Sequence, residues 1–167
     1  MGGSGSIGQY GGTTGISGLR DVARRELQRT ERPERRRVFI SFRHTDLDKV
    51  NFLRMQAKNK KSNLDFIDMS LRVPFNSENA DYIKRGIRAR IEKSSVTVVM
   101  ASDDTHESDW VNWEINETLS MGKGVVVIDA RKSSTPLPSV VGENKGRVKV
   151  VPWEIDKIMT AVEESAQ

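Results

Sequence analysis

The chain contains no cysteine, and among its 167 residues there are only two histidines, five prolines and 6% aromatic residues. Without cysteine there is no disulfide framework, no thiolate metal site and no thiol nucleophile. His44 and His106 stand far apart in sequence and do not make a histidine-rich ligand cluster, so no metal centre is expected. No run of about 18 apolar residues is present, which argues against a membrane-spanning helix. The N-terminus also lacks a charged start followed by an apolar core. A cytoplasmic protein with no membrane attachment is therefore expected. Phosphate-cradle patterns are missing too: neither GxxxxGK[ST] nor GxGxxG occurs.

Charge is present, but unevenly. The chain has 27 basic and 23 acidic residues, a formal charge of +4, and a pI near 9.5. Residues 1–37 carry eight arginines against Asp21, Glu26, Glu31 and Glu34, which is the whole of the +4. Residues 38–167 hold 19 basic and 19 acidic groups. The body is neutral, so a broad electropositive face for nucleic acid is not expected.

Eight of the thirteen glycines fall within residues 1–18, a composition too poor in apolar surface to offset the entropy of ordering. Residues 1–36 are expected to form a flexible Gly/Ser-rich, then Arg-rich leader. A helix over 19–32 would place Leu19, Val22, Ala23 and Leu27 on one side before Pro33 interrupts it. A domain over 37–167 is expected to follow.

Val38–Phe42 reads as a buried strand, 47–60 as a helix and Leu64–Ile67 as a short strand. A polar loop over 68–80 leads to a helix over 81–93 with Ile83, Ile87 and Ile91 on its inner side. Ser95–Ala101 is the clearest buried strand. Ser108 is the expected N-cap of a helix over 108–121, which Gly122-Lys123-Gly124 ends. Strands over 125–128 and 147–151 follow, separated by a Pro/Ser/Gly-rich loop over 131–146, and a helix over 154–164 ends the chain. Alternating strands and helices, with strands apolar along their whole length, predict an α/β, flavodoxin-like, doubly wound sheet of about five parallel strands. Ligands in such folds bind beyond the carboxyl ends of the strands, here Ser41–Asp46, Asp68–Ala80 and Ser102–Glu114.

Two phrases stand at those ends: Phe39-Ile-Ser-Phe-Arg-His-Thr-Asp46 and Ser108-Asp-Trp-Val-Asn-Trp-Glu-Ile115. Helical spacing puts Trp110 and Glu114 on a common face. A carboxylate beside an indole in a cleft has its pKa raised. Spacing alone favours Trp110 as core and Glu114 as a surface acid paired with a Lys or Arg.

The first phrase resembles the opening box of Toll/interleukin-1 receptor (TIR) domains. The second is similar to the family's Ser-x-Trp-Val/Cys-x-x-Glu-Ile/Leu pattern. Ile67-Asp-Met-Ser-Leu71 and Gly122-Lys-Gly-Val-Val-Val-Ile128 extend the likeness, particularly to the TIR-like proteins of the bacterial Thoeris antiphage system. Arg72-Val-Pro-Phe-Asn76 lacks the Pro-Gly signature of receptor-type members, which counts against an animal-receptor adaptor. The resemblance implies a TIR-like fold and an NAD-processing enzyme, a glycohydrolase or ADP-ribosyl cyclase. It would cleave the nicotinamide–ribose bond to make an ADP-ribose-type signal in antiphage immunity. NAD would be substrate, with no prosthetic group. Glu114 would be the catalytic residue, and Phe42, Arg43, Ser70 and Trp110 would bind substrate. Self-association through the domain and a phage-derived trigger are also implied. The alternative is a non-catalytic interaction module that assembles partners.

Overall fold

Uninterrupted β-branched stretches make the strands, because a strand buried on both faces has no side left for polar residues. A computed structural model describes residues 35–59, 66–70 and 80–166. The chain divides into two units, Met1–Glu34 and Arg35–Gln167, and the described residues belong to the second. The expectations for the leader, and for most of the loop over 68–80, lie outside the described residues.

The elements are β1 (Arg36–Ser41), a 3-10 turn (His44–Asp46), α1 (Leu47–Lys58), β2 (Phe66–Asp68) and α2 (Ala80–Glu92). Then come β3 (Val96–Ala101), a 3-10 turn (Thr105–Glu107), α3 (Asp109–Ser120), β4 (Gly124–Asp129), α4 (Ser139–Glu143), β5 (Val148–Pro152) and α5 (Ile155–Ser165). The sheet order is β2-β1-β3-β4-β5 with every pairing parallel. This is the expected doubly wound α/β arrangement, and its strand order reverses between β1 and β3. Residues 131–146, expected to be loop throughout, contain α4. Its two valines, Val140 and Val141, are buried with Val148 and Leu137, and that apolar anchor outweighs the loop-like composition around it.

Strand alternation sends side chains to opposite layers. From β1, Val38 and Ile40 enter a core with Val50 and Leu53 of α1 and Ile158 and Val162 of α5. Phe39 points the other way, against Ile87 and Ile91 of α2, with Trp113 packed beside them. Val111, Ile115 and Leu119 of α3 fill the layer over Val99, Val125 and Val127. The expected N-cap is present: Ser108 Oγ accepts from Val111 N at 3.3 Å. Gly122, at φ 77°, supplies the left-handed residue that ends α3.

Candidate active site

The alternation that buries Phe39 under α2 and α3 also turns Ser41, the last residue of β1, toward that layer. There its hydroxyl donates to Glu114 Oε2. Ser41 is 1% exposed and Glu114 8%. Glu114 therefore lies on α3 at the carboxyl edge of the sheet, is not surface-exposed, and has no cationic partner among the described residues. Burial pushes its carboxyl up to about 7, opposed by the Ser41 hydrogen bond. A second chain of hydroxyls fixes the helix at the same residue. Thr118 Oγ1 donates to the Glu114 carbonyl at 2.8 Å. Thr118 Oγ1 also lies 2.8 Å from Thr97 Oγ1 of β3. With the Thr118 proton committed to the carbonyl, Thr97 is the donor in that pair.

Trp110, one turn earlier on α3, is 40% exposed and so is not core. Its ring meets Trp113 edge-on, at 5.9 Å and 85°. Lys84 of α2 places its ammonium 6.0 Å from the Trp110 ring and 5.5 Å from that of Trp113.

The other expected site residues fall into separate groups. Arg43 is paired: Nη1 donates to the Asp104 carbonyl at 2.6 Å and lies 2.9 Å from the Asp104 carboxylate and 3.8 Å from Glu107. Phe42 packs against the α1–α5 core, on the face of β1 opposite Glu114, and the Arg54 guanidinium sits 5.7 Å from its ring. Ser70 is buried. Its hydroxyl donates to Asp68 Oδ1 and accepts from Arg54 Nη2 at 3.4 Å. Arg54 Nε in turn donates to Asp68 Oδ2 at 2.6 Å. The structure thus joins Phe42 to Ser70 through Arg54, and places Glu114 with Ser41. A cleft of about 590 Å³ runs along α1 and β2 past Arg54 and Asp68 and does not include Glu114.

Ser41, Arg54, Asp46 and Ser102 were not singled out by the sequence. Ser41 had a signal: it stands two residues after Phe39, on the same side of the strand. Among the described residues no group of three or more His, Asp or Glu could hold a metal ion. No described helix is long and apolar enough to cross a membrane.

Fold and site together define an α/β domain of TIR type, with a buried acid at the carboxyl edge of a parallel sheet. The chain belongs to the family of the Thoeris protein ThsB, TIR-like domain, whose family model matches residues 39–135, more than half of its length. Among solved structures it is similar to the TIR domain of the Toll-related receptor TRR-2 from Hydra magnipapillata. That match has 17% identity and TM-score 0.49, covering 75% of this chain and 89% of that one. It is also similar to the CMP N-glycosidase BcmB of Clostridium botulinum. There the identity is 11% and the TM-score 0.49, covering 77% of this chain and 98% of that one. No curated protein matches the sequence.

Proposed function

We propose that this chain is an NAD-consuming enzyme of the Thoeris TIR-like type, with Glu114 as its catalytic residue. The observation that carries the reading is the environment of Glu114: a carboxyl group nine-tenths buried, with no cationic partner and a single hydroxyl donor among the described residues. A structural acid in a protein interior is normally paired with a cation, and burial without one is the pattern of a functional carboxyl.

In the proposed reaction the bond between ribose C1′ and the nicotinamide nitrogen breaks. Nicotinamide leaves with the bonding electron pair, and positive charge develops on the ribose. Glu114, as carboxylate, stabilises that charge and accepts hydrogen bonds from the ribose hydroxyls. A low-dielectric surround strengthens both effects. Attack at C1′ by water, with loss of its proton, gives ADP-ribose, and attack by a nitrogen of the same nucleotide gives a cyclic product. Trp110, projecting beside Glu114 on α3, would form an apolar wall. Phe42, Arg43 and Ser70 would contact the remainder of the nucleotide, Arg43 and Ser70 by exchanging their present partners for phosphate and sugar oxygens. Self-association, a phage-derived trigger and a cytoplasmic setting belong to the same proposal.

The test is incubation of the purified full chain with NAD, with and without lysate from phage-infected cells, followed by mass spectrometry of the nucleotides. The wild type should release nicotinamide and an ADP-ribose product, and Glu114→Gln should release neither. Full turnover by Glu114→Gln removes the assignment.

A further inference from the structure

The carboxylate of Glu114 is held unequally. Oε2 receives the Ser41 hydroxyl. Among the described residues Oε1 has no hydrogen-bond partner. One oxygen is anchored to the end of β1, and the other is left to meet a ligand. We infer that Ser41 is a positioning residue for Glu114: its hydroxyl fixes the carboxylate's orientation and favours its ionised form. This role rests on Glu114 acting as proposed above.

A single hydroxyl has this influence because, among the described residues, little else acts on the carboxylate. The nearby charged groups described on the surrounding elements are engaged with other partners. From α2, Lys84 lies over Trp110 and Trp113, and Arg88 pairs with Glu117 at 2.5 Å. Before α3, Glu107 approaches Arg43 at 3.8 Å and His106 lies 3.9 Å from Glu107. Arg147, ahead of β5, donates to the Leu119 carbonyl at 2.7 Å. The buried stretches 96–101 of β3 and 125–128 of β4 contain no ionisable side chain. Burial raises the Glu114 carboxyl and Ser41 lowers it, with no charged group among the described residues contributing. A hydrogen bond to an ionised acceptor favours the charged form, and losing it disfavours ionisation. Among the described residues the Ser41 side chain makes no other hydrogen bond, and alanine preserves the strand and nearly all of the side-chain volume.

The experiment follows the ¹³C carboxyl resonance of Glu114 against pH in selectively labelled full chain, for wild type, Ser41→Ala and Thr118→Val. Ser41→Ala should move the Glu114 titration upward by about one pH unit or more. Thr118→Val removes an equally buried hydroxyl that bonds the Glu114 backbone carbonyl and Thr97 Oγ1 and does not reach the carboxylate. It should lower Tm and leave the titration in place. The pH dependence of nicotinamide release is recorded in parallel. Its acidic limb should shift upward with the titration in Ser41→Ala, giving a deficit of roughly fivefold or more near neutral pH that narrows in alkali. An unchanged Glu114 titration in Ser41→Ala, or an equal shift in Thr118→Val, overturns the inference. A shifted titration in a wild-type background that never releases nicotinamide sinks the enzymatic reading instead, and leaves the Ser41–Glu114 coupling standing.

Discussion

Ser102 donates its hydroxyl to Asp46 across 2.6 Å, tying the turn after β1 to the end of β3. Both residues are buried, Asp46 at 1% exposure. Asp46 Oδ1 also receives Lys49 at 2.6 Å. The strand order reverses between β1 and β3, so their carboxyl ends have no intervening strand to hold the loops beyond them. Asp46 and Ser102 make the connection with side chains, beside a small polar pocket of about 190 Å³. Asp103 extends the same stitching to the next loop by accepting from Lys132 N at 3.0 Å and Ser133 N at 2.9 Å.

Removing this acceptor should therefore be felt globally. Asp46→Ala leaves Ser102 without its shortest partner and should lower unfolding stability by about 2 kcal/mol, measured by urea denaturation. A loss no larger than that of the neighbouring exposed Asp48→Ala would show that the tie contributes little.

Trp110 and Ile115 sit five residues apart on α3 and should respond in opposite ways. Ile115 is fully buried, so Ile115→Ala should cost about 2–5 kcal/mol. Trp110 is 40% exposed, and Trp110→Ala should cost about 1 kcal/mol or less. On the proposed function the ranking reverses for chemistry, because Trp110→Ala should slow nicotinamide release at least about tenfold while the fold persists. Circular dichroism melts and an NAD turnover assay on both variants check the pair.

Glu114 makes stability depend on pH with a definite sign. Its folded carboxyl titrates near 7 against an ordinary value of 4.5. Between those values the folded state holds a proton that the unfolded chain has lost. The stabilisation from the neutral acid is complete below about 4.5 and fades as pH rises through about 7, a total on the order of 3 kcal/mol. Glu114→Gln lacks this titration. Measured against wild type at pH 4, 6 and 8, it should gain relative stability as pH rises. A constant difference across the series would mean the carboxyl is not desolvated.

Gly124, the first residue of β4, packs against the end of α5, where an added Cβ would lie 2.8 Å from Ser165 Cβ and closer still to the Ser165 carbonyl oxygen. The obstruction is backbone and cannot rotate away. Gly124→Ala should lower stability by about 1–3 kcal/mol. Gly142→Ala, which meets nothing within 4 Å, should not destabilise, and equal melting of the two would refute the close approach.

The sequence by itself determined the alternation of strands and helices, the parallel sheet, the Ser108 cap and the Gly122 stop. Each of these follows from interactions within a few residues: apolar runs, side-chain capping and left-handed glycine. Family phrases also placed Glu114 at the right end of the sheet. Where composition misled, as over 131–146, two buried valines were too short a signal to read among Pro, Ser and Gly. The tertiary structure alone decided which neighbours each site residue has. Ser41 and Glu114 are 73 positions apart, and no local pattern reports that they touch. Consecutive residues of one extended segment, Ser41 and Phe42, part company because a strand alternates its sides. Arg43 meets Asp104 61 positions away. Trp110 is exposed because α3 turns Val111 and Ile115 to the sheet instead. Burial is a property of packed elements, so the desolvation that raises the Glu114 carboxyl exists only once the sheet and its helices have assembled.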